Sequence, residues 1–437
     1  MSHFAPALAG VVVGLVSLFG GGPALAINEW EIDDGAYTME AIGSGRLTGA
    51  FFHYPAEEDV FPADDDGLGA GVLRLILEGG LGYHVGYEIN IYSSLARSGT
   101  AGLGGAFDRA GSATSPYRYP HLSLRYWEDG SVQGELGIDR FVFQVSASPL
   151  LLTVGRMPIN HGVTSIFVPN DFFAPFAVAA INTVYKPGVD GLKIGIETGM
   201  QSGVELVGVL GYGVDGAPDW AYSALLLRAR RVFGNFEWAL LGGKLAGRWI
   251  VGASMQGELG PLGVRGEGHL GFRDRDGLDG ADDLDGDGPW LGDAYTRFAL
   301  GLDMLFAWQN ASIVLEYFFQ SDGIDGPKNY WQRLTSLFPD DQLFFGKHYV
   351  GLNFGLDIIP ILRFNSIGIL NAADGSGLAG VSLAYNISDE SDFILGMFVP
   401  WGKRPEADNG LPDAPPVLHS EFGILPLTVY LESRFYF

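Results

Sequence analysis

Cysteine is absent from this chain of 437 residues, and charged residues make up only 18% of it. The absence of cysteine excludes a disulfide scaffold, a thiolate nucleophile and a thiolate zinc site. It also suits an oxidising compartment, in which stray thiols would mispair. Because the average soluble domain has about 25% charged residues, these two shortages favour an exported protein that is not an ordinary soluble domain.

Positive charge is the scarcer kind. Lys and Arg number 26 against 51 Asp and Glu, a net charge of −25, which excludes the basic surface that nucleic-acid binding requires. The acidic residues concentrate at 64–66, 274–287 and 340–341, between apolar and aromatic segments. This layered pattern predicts acidic loops that separate apolar elements.

Recognisable catalytic motifs are absent as well. The sequence has no G-x-S-x-G, no H-E-x-x-H and no phosphate-binding glycine loop, and its histidines are scattered without a paired nucleophile. We therefore predict that the protein is not an enzyme and uses no organic cofactor.

Long hydrophobic runs are confined to the amino terminus, where an apolar stretch ends in the small-x-small signal Ala24-Leu25-Ala26. We predict a signal peptide over 1–26, cleaved after Ala26, and a periplasmic N-terminal segment over 27–43. No Lys or Arg precedes the apolar stretch, so a retained anchor or a misplaced start codon is the alternative. Pro23 opposes an anchor because it breaks a helix. No other stretch reaches the roughly 20 apolar residues of a spanning helix.

Apolar and polar residues alternate along nearly the whole remaining chain, as in 83–91, 297–304 and 349–358. Successive side chains of a strand point to opposite faces, so such segments are strands with one face in lipid and one in water. A soluble sandwich with so many strands would need several domains and linkers, and we find no linker. The pattern predicts an all-β transmembrane antiparallel β-barrel over 44–437, with short periplasmic turns and long acidic outer loops.

The polar face of these strands predicts the residues that line the lumen. They are charged residues separated by small ones, which in a soluble protein would simply be solvent-facing. The lumen-lining set comprises Arg74, Glu88, Arg248, Arg265, Glu267, Arg297, Asp303, Glu316, Arg363 and Arg434.

The lengths of the connections predict the number of strands. Bacterial barrels have an even count, with short turns on the periplasmic side and long loops outside. With a first strand near 44–54, this rule holds if 119–147 contributes an odd number of strands. One strand near 136–147, with 119–134 in an outer loop, gives about 18 strands within a range of about 16–20, a size at which porins leave an aqueous channel.

The final strand ends in Phe437, on its apolar face. A terminal Phe on an alternating strand resembles the signal that the outer-membrane barrel-assembly machinery reads, although an ordinary strand can also end in Phe. We therefore expect that machinery as a partner, and outer-membrane lipid and lipopolysaccharide around the barrel.

The segment 157–189 predicts a loop that folds into the lumen. It is too apolar to lie in water, and it has Pro and Asn-Asp turns in place of strand alternation. Irregular backbone at membrane depth must be covered by protein or line a water-filled cavity. Its polar residues are candidates for a pore constriction: Arg156, Asn160, His161, Asn170 and Asp171. An equally strong alternative is that Arg156 and Asp171 pair and pin the loop to the wall.

The same segment resembles a motif of large porin-like barrels, G-R-x-x-I-x-x-G followed by P-x-D-x-F-x-P. The matching residues are Gly155, Arg156, Ile159, Gly162, Pro169, Asp171, Phe173 and Pro175. The families concerned are the 18-stranded barrels of the alginate-export and capsule-surface-assembly types. They often have Trp or Gln-Trp where this chain has Asn160-His161, so a shared ligand does not follow. The resemblance implies polysaccharide or small-solute traffic.

One acidic outer loop, 274–288, suggests a metal site. Asp283, Asp285 and Asp287 precede Gly288 with the spacing of the first half of an EF-hand loop. The Glu expected at position 12 is replaced by Ala294. The alternatives are a weak Ca²⁺ site and a solvated acidic loop without metal.

Together these features predict an outer-membrane porin that lets small hydrophilic solutes diffuse passively, with acidic mouths that favour cations. A polysaccharide exporter or surface-polymer-binding barrel is one alternative, and a structural or adhesive closed barrel is another. Porins are often trimers, so a homo-oligomer is among the expected assemblies, although no subunit-contact face is evident from the sequence.

Overall fold

The structure, a computed structural model, describes residues 28–32, 37–54, 64–97, 115–175, 185–213, 215–273, 294–327, 330, 344–406 and 416–437. The predicted signal peptide 1–26 and the acidic loop 274–288 lie outside these ranges. Within them, no helix has the length and apolar character needed to cross a bilayer. The described helical turns include the short 3₁₀ segments Pro120–Leu122, Trp308–Asn310 and Phe422–Ile424.

Eighteen of the twenty described strands form a closed antiparallel ring, which leaves out only β1 (Asn28–Ile32) and β5 (Ser123–Asp129). The ring follows sequence order and closes between β2 and β20. Its strands are β2 (Tyr37–His53), β3 (Asp65–Leu81), β4 (Val85–Arg97), β6 (Val132–Ala147), β7 (Leu150–Met157), β8 (Val189–Gly199), β9 (Ser202–Val209), β10 (Ala224–Phe233), β11 (Phe236–Leu245), β12 (Arg248–Leu259), β13 (Leu262–Arg273), β14 (Ala294–Phe306), β15 (Ala311–Gln320), β16 (His348–Ile359), β17 (Leu362–Asn371), β18 (Gly377–Ser388), β19 (Ser391–Trp401) and β20 (Leu427–Tyr436). The predicted fold class and the predicted 18 strands are confirmed.

The stretch 119–134 lies in the connection between β4 and β6, outside the ring, but it is not irregular throughout. Strand β5 pairs with residues 132–137 of β6, whereas β7 pairs with 141–147 of the same strand. β5 therefore covers the edge of β6 that β7 leaves free, and a covered edge does not attract other chains. Residues 132–135 of β6 pair with β4 on one edge and with β5 on the other, so β6 begins at Val132, before the predicted 136.

Short and long connections alternate around the ring. At one end the strands are joined by tight turns such as 82–84, 148–149 and 260–261, and β2 begins there at Tyr37, earlier than the predicted 44. At the other end lie long connections such as 158–188 and 402–426. Two connections at this end are short: Ala246 and Gly247 separate β11 from β12, and residues 372–376 separate β17 from β18. Gly247 has a positive φ of 51°, which glycine adopts without strain.

The outer face of the ring is apolar and the inner face carries the charge. Outward side chains such as Leu240, Val251 and Leu300 are 68%, 59% and 54% exposed. In an aqueous protein a continuous exposed apolar belt would be unfavourable. The belt therefore faces lipid, and the barrel is a transmembrane one.

Two apolar clusters lie inside the ring, on different parts of the wall. The β15–β16 cluster includes Phe52, Phe167, Phe318, Phe344 and Tyr349. The β9–β12 cluster includes Phe172, Phe173, Val207, Leu226 and Ile250. Each cluster combines wall residues with residues of the segment 158–175, so that this segment connects the two.

Candidate functional site: the loop inside the barrel

The connection between β7 and β8, residues 158–188, is here called the inner loop, and its residues 158–175 and 185–188 are described. Its middle contacts β13 and β15, and β15 is the seventh strand after β8 around the ring. A loop that leaves the wall at β7 must cross the lumen to reach β15. The described residues 163–170 of the inner loop therefore lie inside the ring.

Glu316, on the lumen face of β15, binds residues 165–167, which form the tip of the inner loop. One carboxylate oxygen accepts the backbone N–H of Ser165 at 2.6 Å, and the other accepts those of Ile166 and Phe167 at 2.8 and 3.0 Å. Glu316 is only 1% exposed. Three successive N–H groups around one anion form a concave site of the kind that backbone amides offer to anions.

Glu267, on β13, binds the residues that precede and follow this tip in the loop. Its carboxylate accepts the N–H groups of Val163 and Thr164, the latter at 3.3 Å, and that of Asn170 at 3.1 Å. Both glutamates were predicted to line the lumen, and in the structure they are covered by the loop that they bind.

The tip of the inner loop is also packed against the wall by aromatic rings. Phe167 is fully buried and stacks on Phe318 with a centroid distance of 5.3 Å. A Cβ atom at Gly351 would lie 2.8 Å from the Phe167 ring, so the glycine on β16 leaves the space that the ring occupies.

Arg156 anchors the beginning of the inner loop. Its guanidinium donates to both carboxylate oxygens of Asp190, at 2.6 and 2.9 Å, and to the carbonyl oxygens of Ile138 and Tyr119. The side chain is 3% exposed. Asp171 instead pairs with Lys186 at the other end of the loop. The alternative that Arg156 pairs with Asp171 is therefore wrong: each residue ties the loop through a different partner.

The other predicted constriction residues have different surroundings. Asn160 is exposed, and its side-chain oxygen accepts the N–H of Gly162. Asn170 is fully buried between the wall residues Ala253 and His269. Burial, reinforced by the positive charges of Arg228, Lys186 and Lys193, lowers the pKa of His161 from 6.5 to about 3. His161 is therefore neutral at physiological pH.

The charged groups that remain beside the inner loop centre on a tyrosine that the sequence did not single out. The ring of Tyr185 lies 3.6 Å from the guanidinium carbon of Arg74 and 4.0 Å from that of Arg140. Its hydroxyl accepts a hydrogen bond from Asn90. Asp139 in turn receives bonds from Arg74 and from Arg118. Alternation could have identified Arg140, but no local pattern identifies Tyr185, whose partners lie on strands distant in sequence.

Most predicted lumen residues are paired with an opposite charge. Glu88 pairs with Arg140, and the arginines at 265, 297, 363 and 434 pair with Asp303, Asp322, Asp357 and Glu432. Arg248 is 2% exposed and buried in the wall. These pairs place fixed charges of both signs along the lumen.

A cavity of about 490 Å³ opens between β2, β3, β4 and β6 near the end with short turns. Its polar lining is mainly acidic: Glu40, Glu78, Glu88, Thr38 and Gln144. In the ranges that the structure describes, no group of three His, Asp or Glu side chains is arranged to hold a metal ion. The predicted Ca²⁺ ligands Asp283, Asp285 and Asp287 lie outside those ranges.

No family model matches the sequence, and no curated protein does either. Solved structures match at the level of the fold. OccK2 (OpdF) of Pseudomonas aeruginosa has a TM-score of 0.55 and 11% identity, over 91% of this chain and 97% of that one; it has also been solved with glucuronate. OprD of Pseudomonas aeruginosa gives 0.51 and 12%, over 91% and 93%. OccAB4 of Acinetobacter baumannii gives 0.52 and 10%, over 94% and 99%.

The likeness covers nearly the whole length of each protein, although the sequences are only 10–12% identical. The shared feature is the closed 18-strand barrel. The chain therefore has the fold of the OccK and OprD outer-membrane porins, and as a closed barrel with an apolar outer face it is an outer-membrane protein.

Proposed function

We propose that the protein is a channel through which small hydrophilic solutes cross the outer membrane by passive diffusion. The observation that carries the proposal is a closed ring of 18 strands with charged side chains on its inner face and a loop across its lumen. Barrels of 16–18 strands leave an aqueous channel. A loop inside such a channel limits the size of the solutes that pass.

The fixed charges of the lumen bear on selectivity. The acidic cavity lined by Glu40, Glu78 and Glu88 supports the cation bias expected from the acidic composition. The guanidinium groups of Arg74 and Arg140 beside Tyr185 supply the opposite charge. Glucuronate, which is bound in an OccK2 structure, is a small hydroxylated carboxylate and is therefore a suitable first solute to compare with a cationic one.

Planar-bilayer recording of the purified protein tests the proposal. We expect discrete conductance steps and, in a salt gradient, a reversal potential on the cation-selective side. Swelling of liposomes that contain the protein would then rank glucuronate against neutral and cationic solutes of similar size. A folded protein that gives no conductance steps and no swelling would overturn the channel function.

Export of a polysaccharide is the second candidate, because the motif at 155–175 resembles that of alginate-export and capsule-assembly barrels. Glycan-array binding by a protein that does not conduct ions would favour it. A closed structural or adhesive barrel is the third candidate, supported by the apolar clusters that occupy part of the lumen. It predicts neither conductance nor glycan binding.

Four further properties belong to the same proposal. Phe437 would present the assembly signal to the barrel-assembly machinery, lipopolysaccharide would surround the apolar belt, and the barrel would form a homo-oligomer. The acidic loop 274–288 would bind Ca²⁺ weakly through Asp283, Asp285 and Asp287. Isothermal titration with Ca²⁺, compared with a variant in which all three are Asn, tests the last point.

A further inference from the structure

We propose that Glu267 and Glu316 are positioning residues that hold the inner loop across the lumen and so set the width of the channel. The inference rests on the proposed channel function. It assigns the position of the loop to two carboxylates of the wall, which lie on β13 and β15, far around the ring from the strands that carry the loop.

The loop backbone needs these acceptors. Residues 163–170 form no strand, so their N–H groups have no partners in a sheet, and unpaired backbone groups inside a protein are strongly unfavourable. Glu316 accepts the N–H groups of three successive residues, 165–167, and Glu267 accepts those of 163, 164 and 170. Six N–H groups of one short segment are thereby satisfied by two carboxyl groups.

The carboxylates also fix the loop in one place, unlike apolar packing alone. Apolar contacts are not directional, and the stacking of Phe167 on Phe318 tolerates sliding. A hydrogen bond is directional and weakens steeply as its angle departs from linearity. Both glutamates are nearly inaccessible to water, at 1% and 4% exposure, so water does not compete for the N–H groups.

The first test replaces Glu316 with Gln. The amide keeps the shape but has one acceptor oxygen, and its NH₂ group opposes the N–H groups of the loop. We expect single-channel conductance to rise by about twofold or more as the loop moves away from β15 and the channel widens. Glu237→Gln is the matched control, since it removes one lumen charge whose partners are the wall residues Arg228 and Arg230. Its conductance should change little.

A covalent restraint distinguishes the effect of loop movement on conductance from the effect of the lost carboxylate charge. A Cβ atom at Gly351 would lie 3.1 Å from Cγ2 of Ile166, and the natural chain has no cysteine. In the Glu316→Gln background, Ile166→Cys and Gly351→Cys should cross-link on oxidation and return the conductance to that of the wild type. Reduction should raise it again. The same cysteine pair with Glu316 intact measures the separate effect of the new Cβ atom on the Phe167 ring, from which it would lie 2.8 Å.

Hydrogen exchange tests, independently of conductance, whether the carboxyl groups of Glu267 and Glu316 hold the loop; this arrangement is called the clamp. In detergent, amides 165–167 should exchange at least about tenfold faster in Glu316→Gln than in the wild type, because Glu316 is their acceptor. Heat-modifiable mobility on gels would show that each variant is a folded barrel. Unchanged exchange, or faster exchange without a change in conductance, would overturn the clamp. A wild-type protein without conductance would overturn the channel function, while the exchange result would still decide whether the glutamates hold the loop.

Discussion

The aromatic ring of Phe437 lies over Gly43, where a Cβ atom would be 2.1 Å from Cε2 of the ring. The two residues also exchange backbone hydrogen bonds, at 2.6 and 2.9 Å. Phe435 covers Gly45 in the same way. The last residues of the chain therefore close the ring against glycines of its first strand, and aromatic cover of a glycine is a recognised stabilising pair across strands.

Filling the space beneath these rings should weaken the closure. Gly45→Val would place a branched side chain inside the ring of Phe435 and should destabilise the barrel by about 1–3 kcal/mol, the usual penalty for overpacking. Urea unfolding followed by tryptophan fluorescence measures the loss. Gly69→Val is the control, since it lies on the same outer face and a Cβ there meets nothing within 4 Å. Equal stability of the two variants would contradict the prediction that the Phe435 ring over Gly45 stabilises the pairing of β20 with β2.

The ion pair between Arg156 and Asp190 should contribute far more than an exposed pair. Arg156→Ala leaves Asp190 without its cationic partner at a largely buried position, which should destabilise the protein by about 3–5 kcal/mol. The control, Arg125→Ala, breaks an exposed pair with Glu128 and should change stability by less than about 1 kcal/mol. Urea unfolding compares them, and a small loss for Arg156→Ala would show that the pair does not anchor the loop.

The long connections should open more readily as pH rises, because of Glu421. This carboxyl accepts bonds from Tyr349, Asn371 and the N–H of Phe345, and burial, with the nearby Asp374 carboxylate, raises its pKa from 4.5 to about 7. The folded arrangement therefore holds a proton that the opened one releases. Its stability is greatest below pH 4.5 and falls as pH rises to about 7, by roughly 3 kcal/mol at 1.36 kcal/mol per pKa unit.

Hydrogen exchange at pH 5 and pH 8, corrected for the intrinsic rates, measures this dependence at residues 345 and 421–424. We expect weaker protection at pH 8. Glu421→Gln, which has no proton to lose, should abolish the difference. Protection that does not depend on pH in the wild type would mean that Glu421 does not control these connections.

Removing the ring of Tyr185 should change ion selectivity if the protein conducts. Tyr185→Ala would expose the guanidinium groups of Arg74 and Arg140, which keep their carboxylate partners, with a loss of about 1–2 kcal/mol of cation–π stabilisation, and the reversal potential should shift toward anions. Tyr185→Phe keeps the ring and loses only the hydroxyl that accepts from Asn90, so its reversal potential should stay close to that of the wild type. A shift of equal size in both variants would assign the effect to the hydroxyl.

The barrel itself could be predicted because its signal is local. The alternation of Arg297, Phe298, Ala299 and Leu300 assigns each side chain to a face, whatever the rest of the chain does. The alternation of short and long connections then gives the even strand count. The strand β5 was missed, because its role is to cover an edge of β6 that β7 leaves open, and this edge exists only in the assembled ring.

The sequence by itself determined the strands, their inner and outer faces and the inward course of the loop, because a strand period of two and a run of apolar loop residues are properties of neighbouring positions. Only the tertiary structure decided the partners: Arg156 with Asp190 in place of Asp171, Tyr185 between two arginines, and Glu316 beneath residues 165–167. Glu316 stands about 150 positions from the loop that it binds. The physical reason is that a buried charge or N–H group takes whichever partner the closed ring brings within hydrogen-bonding distance, and no local pattern records that distance.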